Sequence, residues 1–245
     1  MKIIAGNWKM NGTPAENKQR LLDIKASADT SENCVIVIPP FLSLTDAVEI
    51  LADTQIWVGA QNCYPKASGA FTGEVSAAML KDIGCTYCLV GHSERRQYFH
   101  EDSAYLKEKI VALMELDMIP IFCVGESLEQ REDGSWKDVI AAQIEEVLCG
   151  MDIDKERIVL GYEPVWAIGT GKTATPEDAD ETMGFIREVL KKNELPTDLM
   201  ILYGGSAKPS NAEDLLAKEN VDGLLIGGAS LIPDDFAAMT KMGNK

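Results

Sequence analysis

The strongest constraint on the fold of this chain is a repeating alternation of short apolar runs with helical segments. Eight runs are rich in the β-branched and aliphatic residues that favour strands. Most of them are followed by a stretch with a helical period or a helix-start signal. The eight predicted strands are Lys2–Asn7, Cys34–Ile38, Ile56–Ala60, Tyr87–Gly91, Ile119–Val124, Arg157–Tyr162, Met200–Tyr203 and Gly223–Ile226.

The segments between these runs carry signals for helix starts. Thr13 and Thr175 each precede a proline and are followed, three positions later, by an acidic side chain. A threonine cap, a proline in the first turn and an acid that bonds back to the cap together favour an α-helix. A further helix is predicted over Ala104–Asp117, where apolar residues recur with a helical period.

Alternating strands and helices predict a parallel sheet with helical crossovers. Eight such units in 245 residues favour a single α/β domain over residues 1–245, closed as a (β/α)8 barrel of eight parallel strands ringed by helices. An open doubly wound sheet is the alternative, and it needs a reversal of strand order that sequence does not display. In a closed barrel, functional side chains gather where strands end and the following loops begin.

The charge balance argues against one class of partner. The chain has 39 acidic and 23 basic side chains, a formal net charge of −16, and such a surface repels a phosphodiester backbone. We therefore expect no nucleic-acid partner. No apolar stretch approaches the roughly 18 residues of a membrane helix, and the N-terminal run is too short for a secretory signal. The expected location is the cytoplasm, without a membrane partner.

The six cysteines are dispersed, and Cys85 and Cys88 form a C-x-x-C pair. No second pair of Cys or His residues lies at zinc-binding spacing. In an apolar strand, an offset of three would also put the two side chains on opposite faces. The predicted role is therefore buried packing, with no metal or other cofactor bound.

Three polar side chains at predicted strand ends are candidates for catalysis. Asn7 and Lys9 would share one face if the extended conformation continued past the first strand, although a lone lysine is commonly a surface residue. His92 follows an apolar strand, and a short helix starting at Ser93 would leave it at the positive helix end. That position favours a neutral imidazole. The alternative for His92 is a structural role with backbone contacts.

Glu163 is the candidate base because an unusual loop follows it. Residues 164–173 combine large apolar side chains with a proline at one end and glycines at the other. A solvated loop gains nothing from such side chains, whereas a lid that closes over a ligand uses them to exclude water. Glu94 and Glu126 are rival carboxylates without such a loop. The glycines also suggest a nucleotide-binding P-loop, but Trp166 stands where that motif needs glycine.

Two glycine pairs follow the seventh and eighth predicted strands, at Gly204-Gly205 and Gly227-Gly228. Without a Cβ, glycine lets backbone N–H groups approach an anion. In barrels of this class, these two loops and a short helix start frequently form a phosphate site. A single pair is more often a tight turn, but two pairs after adjacent strands favour phosphate binding.

These motifs, in order along the chain, resemble those of triosephosphate isomerases, and the resemblance extends from Lys2 to about Leu231. The motifs are Asn7-Trp8-Lys9-Met10-Asn11-Gly12, Gly91-His92-Ser93-Glu94-Arg95-Arg96, the Tyr162–Lys172 segment, Tyr203-Gly204-Gly205-Ser206 and Gly227-Gly228-Ala229-Ser230-Leu231. The resemblance implies a TIM barrel. It also implies an isomerase of glycolysis and gluconeogenesis that interconverts dihydroxyacetone phosphate and D-glyceraldehyde 3-phosphate without a cofactor.

The resemblance further assigns roles to residues. It implies that Glu163 abstracts a carbon-bound proton and returns it to the neighbouring carbon, while a neutral His92 polarises the carbonyl. Lys9, supported by Asn7, would stabilise the enediolate. Backbone N–H groups of four residues would hold the substrate phosphate, namely Gly169, Ser206, Gly227 and Gly228.

The segment from Gln61 to Glu74 resembles the long third loop that, in this family, docks into a neighbouring subunit. The resemblance therefore implies a homodimer in which Thr72 reaches toward the other subunit's site. Phe71 in a compact exposed loop also fits a loop that needs a partner to cover it. The alternative is a loop that packs on its own barrel.

Two residues are expected to support the site, and one position departs from the family pattern. Glu94 and Cys123 match family positions, and Cys123 is expected to pack rather than to act as a nucleophile. Gly161 stands where the family more often has alanine, which leaves room beside Glu163 without removing the base.

Two other functions stay open at this point. One is a phosphate-binding barrel that isomerises a larger sugar phosphate, and the other is a non-catalytic relative that uses the barrel as a binding scaffold. The short Gly227-Gly228 loop and the complete lid motif argue against the first. The presence of Lys9, His92 and Glu163 argues against the second.

Overall fold

The computed structural model describes residues 1–154, 157–168 and 174–243. Within these ranges, eight strands form one closed barrel in which each strand runs parallel to the next and the last pairs back with the first. The strands are β1 (Ile3–Asn7), β2 (Cys34–Ile38), β3 (Ile56–Ala60), β4 (Tyr87–Val90), β5 (Ile119–Val124), β6 (Val159–Tyr162), β7 (Ile201–Tyr203) and β8 (Gly223–Ile226). This order confirms the predicted (β/α)8 barrel and excludes the open doubly wound sheet.

Helices occupy the connections between successive strands. The α-helices are α1 (Pro14–Ser27), α2 (Leu44–Leu51), α3 (Ala77–Asp82), α4 (Ser93–Phe99), α5 (Ser103–Met114), α6 (Leu128–Glu132), α7 (Trp136–Leu148), α8 (Pro176–Lys192), α9 (Ala212–Leu216) and α10 (Pro233–Thr240). Short 3₁₀ helices lie at Phe41–Ser43, Val165–Ala167 and Gly228–Leu231. Thr13 and Thr175 cap α1 and α8 with reciprocal capping boxes, which confirms the two predicted helix starts.

Alternate residues along the strands build two apolar layers. In β1, Ile3 and Ala5 point into the barrel, whereas Ile4 packs outward beneath the helices. All three side chains are buried. Because both faces of the strands are buried, the barrel is a rigid support, and the loops at its carboxyl ends are left to carry polar groups. In the described part of the chain, no helix is both long enough and apolar enough to cross a bilayer.

The sixth strand is shorter than the predicted run Arg157–Tyr162 and begins at Val159. Arg157 lies outside the sheet, and its N–H donates to the carbonyl oxygen of Asp154 at 3.0 Å. That hydrogen bond keeps the start of the apolar run out of the sheet.

Cys85 and Cys88 pack in the same apolar layer, outside the barrel wall. Cys85 precedes β4, so strand alternation does not apply to it, and the prediction that the two side chains face opposite ways is wrong. Both thiols are free and buried, which confirms the predicted packing role. Burial raises the pKa of Cys85 to about 12 and raises the pKa of Cys88 as well.

Candidate active site

A cavity of about 360 Å³ opens at the carboxyl ends of the strands. Loops after β1, β4, β6, β7 and β8 contribute to its walls, so strands far apart in sequence bring their end residues to one place. Seven of the predicted site residues line it: Asn7, Lys9, His92, Glu163, Ser206, Gly227 and Gly228. The lining also includes Asn11 and Lys208, to which sequence reasoning gave no role.

Glu163 follows β6 and is buried, with both carboxylate oxygens in polar contact. Its Oε1 lies 3.0 Å from His92 Nε2, and its Oε2 accepts the Ser93 N–H at 2.8 Å. Burial raises the pKa of Glu163, but His92, the Ser93 N–H and Lys9 together lower it by more, so the net shift is downward. At neutral pH the carboxylate is therefore ionised, which is the form that accepts a proton.

Two glycines let neighbouring loops approach Glu163 closely. A Cβ on Gly204 would lie 2.9 Å from Glu163 Cγ, and a Cβ on Gly125 would lie 1.8 Å from the Glu163 carbonyl oxygen. The loops after β5 and β7 can close around the base because neither residue carries a side chain. This packing limits the positions that the carboxylate can take.

His92 caps α4, which begins at Ser93 as the sequence predicts. Its Nδ1 accepts the Glu94 N–H at 3.2 Å, while Nε2 faces Glu163. Burial lowers the pKa of His92, but the charge of Glu163 and the hydrogen bond to it raise that pKa by more. Because Nδ1 is an acceptor, the neutral ring with its proton on Nε2 satisfies both contacts. If Glu163 turns toward a substrate, burial and the helix start remain, and both favour the neutral ring.

Lys9 does not continue the first strand. Its φ of 52° is left-handed, so the expected alternation that would place Asn7 and Lys9 on one strand face does not apply. Instead, the Lys9 N–H donates to Asn7 Oδ1 at 3.0 Å, and the Lys9 carbonyl accepts from Gln61 Nε2 at 2.8 Å. The Lys9 ammonium lies 2.6 Å from Glu94 Oε1. A turn held by amide side chains therefore brings Lys9 to the cavity, and Glu94 holds its charged end.

The predicted phosphate loops follow β7 and β8 and line the same cavity. The Ser206 hydroxyl donates to the carbonyl of Ala167 at 2.7 Å, which ties this loop to the start of the predicted lid. Gly227 precedes the 3₁₀ helix Gly228–Leu231, whose first N–H groups have no partner inside the helix. Gly169, the remaining predicted phosphate donor, lies outside the described residues.

Glu126, the rival carboxylate, fastens the start of the lid and is not among the described residues that line the cavity. Its Oε1 accepts from Trp166 Nε1 at 2.8 Å and from the Tyr162 hydroxyl at 3.1 Å. Its carbonyl oxygen accepts the Val165 N–H at 3.0 Å. Burial raises the pKa of Glu126, and these hydrogen bonds reverse only part of that shift. Sequence reasoning missed this role because the partners lie on β6 and on the loop that follows it.

Two further predicted residues lie outside the cavity lining. Cys123 is buried inside the barrel, and burial raises the pKa of its thiol, so it is a poor nucleophile at neutral pH. Its carbonyl oxygen accepts from Arg96 Nη2 at 2.9 Å. Thr72 is exposed on the loop after β3. Across the residues that the structure describes, no group of three or more His, Cys, Asp or Glu side chains is placed to hold a metal ion.

The arrangement suits proton transfer on a small anionic substrate. A buried carboxylate faces an imidazole at 3.0 Å, and both share the cavity with an ammonium group. The carboxylate can remove a proton next to a carbonyl, and the other two groups can stabilise the oxyanion that forms. Loops of the kind that bind phosphate complete the lining.

Comparisons with known proteins agree with this chemistry. The model of the family named triosephosphate isomerase matches residues 2–243. The triosephosphate isomerase of Fusobacterium nucleatum subsp. nucleatum is 49% identical over 247 residues, which cover 99% of this chain and 98% of the relative. That of Carboxydothermus hydrogenoformans is 49% identical, with 98% and 97% covered, and that of Caldanaerobacter subterraneus subsp. tengcongensis is 46% identical, with 96% of each covered. These matches do not favour a larger-sugar isomerase or a non-catalytic relative.

Proposed function

The chain belongs to the triosephosphate isomerase family and is an isomerase of that kind, and we propose which of its residues carry the reaction. The reaction interconverts dihydroxyacetone phosphate and D-glyceraldehyde 3-phosphate. The observation that carries the assignment of roles is the pairing of an ionised Glu163 with His92 in a cavity that also holds Lys9 and the glycine loops. The catalytic unit is the whole barrel, residues 1–245.

Glu163 is the proposed base. It takes a proton from C1 of dihydroxyacetone phosphate, the C–H electron pair forms the C1–C2 double bond, and the carbonyl electrons move to the oxygen on C2. The product is an enediolate. The lowered pKa of Glu163 keeps it ionised for this step, and the bond to the Ser93 N–H must open as the carboxylate turns to the substrate.

His92 and Lys9 are the proposed stabilisers of the enediolate. The Nε2–H of His92 donates to the developing oxyanion and moves a proton from one oxygen to the other, while the Lys9 ammonium offsets the negative charge. Asn7 supports Lys9 through the hydrogen bond to its N–H, and Glu94 holds the ammonium. Glu163 then returns its proton to C2, which yields the aldehyde and leaves the enzyme unchanged.

The phosphate is proposed to bind to backbone N–H groups of the loops after β7 and β8. Ser206, Gly227 and Gly228 line the cavity at the ends of those strands. Gly169 is also proposed as a phosphate-binding residue, and only the sequence motif supports this assignment. Holding the phosphate fixes the three-carbon chain against Glu163, which lowers the entropy cost of the proton transfer.

A coupled assay tests this function directly. Purified protein is mixed with dihydroxyacetone phosphate, and a dehydrogenase specific for the aldehyde product reports its formation. We expect turnover at neutral pH above about 1 s⁻¹, within the usual range for enzymes. A well-folded protein without turnover would contradict the proposed function.

The active form is proposed to be a homodimer. The loop after β3 is closed at its base by the Tyr64 N–H bond to Val75 and carries an exposed Thr72 and a Phe71 that is 39% exposed. A second cavity of about 500 Å³ lies beside Lys9. Its lining includes the exposed apolar side chains of Met10, Phe41, Tyr98 and Phe99. An exposed aromatic loop and an apolar cavity next to the reacting groups support docking of one copy into the other.

Sedimentation of Phe71→Asp tests the dimer. We expect the wild-type chain to sediment as a dimer and Phe71→Asp as a monomer with reduced turnover, because a carboxylate would be buried in the proposed contact. Leu22→Asp is the matched control, since Leu22 is an exposed apolar residue on α1 and should leave the dimer intact. A Phe71→Asp variant that stays dimeric would contradict the proposed contact.

The proposed location is the cytoplasm. All six cysteines are free in the structure. Free thiols in this number suit a reducing compartment. Localisation of a tagged chain in cells of its source by fractionation tests this point, and recovery outside the cytoplasmic fraction would contradict it.

A further inference from the structure

The formal net charge of −16 creates a problem for an enzyme whose substrate is a phosphate dianion. The summed field of such a protein repels the substrate as it approaches. Cations at the mouth of the active-site cavity must therefore reverse the field locally. Among the described residues that line the cavity, the lysines that could do so are Lys9 and Lys208.

Lys9 is only partly available for this purpose. Its ammonium lies 2.6 Å from Glu94 Oε1, so the carboxylate cancels much of its charge at a distance. Lys208 is different, since it is exposed and makes no ion pair or side-chain hydrogen bond with any residue in the described ranges. Its positive charge is therefore free to act on an incoming anion.

The backbone of Lys208 is held beside the predicted phosphate loop. The Lys208 N–H donates to Asn211 Oδ1 at 2.9 Å, and the Lys208 carbonyl accepts from the N–H groups of Asn211 and Ala212 at 3.0 Å. Asn211 Nδ2 in turn donates to the carbonyl of Ser206 at 3.0 Å. The side-chain amide of Asn211 thus holds the backbone of Lys208 next to Ser206. Lys208 therefore lies beside the loop proposed to bind the phosphate, whereas Lys9 lies near Glu163 and His92.

We propose that Lys208 is a substrate-attracting residue that draws phosphomonoester dianions into the cavity. It acts on association and leaves the proton transfers to the residues already described. Substitution should therefore lower kcat/KM and leave kcat nearly unchanged. The proposal rests on the proposed triose phosphate reaction, so the variants are compared after turnover of the wild-type chain has been measured.

The test measures kcat and kcat/KM for D-glyceraldehyde 3-phosphate at about 0.01 M and about 0.3 M ionic strength in Lys208→Gln and Lys208→Glu. At low ionic strength we expect kcat/KM to fall about 3- to 5-fold in Lys208→Gln and by about the square of that factor in Lys208→Glu, because the charge change is doubled. At high ionic strength both losses should shrink below about 2-fold, because the screening length falls below 10 Å. Lys208→Arg should match the wild-type chain.

Lys191→Gln and Lys191→Glu are the matched controls, since Lys191 is an exposed lysine in the last turn of α8 and changes the net charge equally. They should lose much less kcat/KM. Inorganic phosphate, used as a competitive inhibitor, should bind more weakly to Lys208→Gln than to Lys191→Gln at low ionic strength. The proposal is overturned if the two positions behave alike, or if the Lys208 losses resist salt. Absence of turnover in the wild-type chain would instead refute the proposed function.

Discussion

Glu163 and Glu126 are two buried glutamates at the ends of neighbouring strands, yet their surroundings shift their pKa values in opposite directions. Both lose hydration, which raises the pKa of a carboxyl group. Around Glu163, His92, a backbone N–H and Lys9 outweigh that effect and lower the pKa. Around Glu126, the hydrogen bonds from the Trp166 indole and the Tyr162 hydroxyl are weaker than the effect of burial, so the pKa of Glu126 stays raised.

The difference shows that burial alone does not make a catalytic carboxylate. Glu163 faces the cavity with strong donors at both oxygens, whereas Glu126 has one oxygen, Oε2, without a hydrogen-bond partner in the described part of the chain. The guanidinium of Arg131 lies 3.8 Å from Glu126 Oε1. Glu126 therefore suits an anchoring role, in which a neutral carboxyl would serve as well as an ionised one.

The largest expected effect separates the two residues by activity. Glu163→Gln should lose about 10³- to 10⁴-fold in kcat, since an amide cannot accept the carbon-bound proton. Binding of inorganic phosphate should change little. Glu126→Gln should keep kcat within about 10-fold, because an amide can still accept from Trp166. Steady-state kinetics of both variants checks this, and similar losses in the two would remove the distinction.

The partner of Glu163 should also matter for chemistry. His92→Gln keeps an N–H donor near Glu163 but cannot pass a proton between the two substrate oxygens. We expect kcat to fall about 10²-fold, in the range reported for lost acid–base groups. Single-turnover measurements locate the loss in the chemical step. An unchanged kcat would show that His92 has only a structural role.

The opposite pKa shifts predict opposite effects of pH on stability. For Glu163, the folded pKa lies below the ordinary value of 4.5, so its contribution is present above about pH 4.5 and is lost as the pH falls through the folded pKa. For Glu126, the folded pKa lies above 4.5, so its contribution is present below that pH and is lost as the pH rises through the folded pKa.

Denaturant unfolding between about pH 3 and about pH 6, at one protein concentration, measures these contributions, because the raised pKa of His92, which also depends on Glu163, lies above this range. The unfolding free energy of the wild type minus that of Glu163→Gln should increase with pH. The corresponding difference for Glu126→Gln should decrease with pH. Slopes of the same sign would show that the two sites are electrostatically alike.

The smallest expected effect concerns the strand that leads to Glu163. A Cβ on Gly161 would lie 3.3 Å from Cys123 Sγ, a tight contact that a small movement of the thiol relieves. Alanine also loses less backbone entropy than glycine on folding. Gly161→Ala should therefore change the unfolding free energy by no more than about 1 kcal/mol and kcat by less than about 2-fold. A larger loss of kcat would show that Glu163 depends on a loose strand end.

Much of the fold could be predicted from local patterns, and the exceptions have local causes. The eight apolar runs predicted the strands because a buried parallel strand needs an uninterrupted apolar segment. The helix predicted over Ala104–Asp117 ends at Met114 instead, since Asp117 takes a left-handed φ of 52°. The spacing of apolar residues does not predict a turn of that kind.

Site residues that directly follow strands could be predicted from the sequence. Residues whose position or role depends on long-range contacts could not. His92 and Glu163 could be placed because strand ends meet in a parallel barrel. The left-handed turn at Lys9 depends on Gln61, which is 52 positions away, and the anchoring role of Glu126 depends on Trp166, 40 positions away. Contacts between residues so far apart in sequence can be identified only in the folded structure.

Isomerisation of dihydroxyacetone phosphate in D₂O tests the central claim most directly, which is that Glu163 carries the carbon-bound proton between C1 and C2. The aldehyde is oxidised as it forms, and NMR measures deuterium at C2. We predict deuterium at C2 in the wild-type product, because a proton held on a carboxylate exchanges with solvent, and its near absence with Glu163→Gln. Turnover of Glu163→Gln at the wild-type rate with the same deuterium content at C2 would contradict the account, since it would show that another group carries the proton.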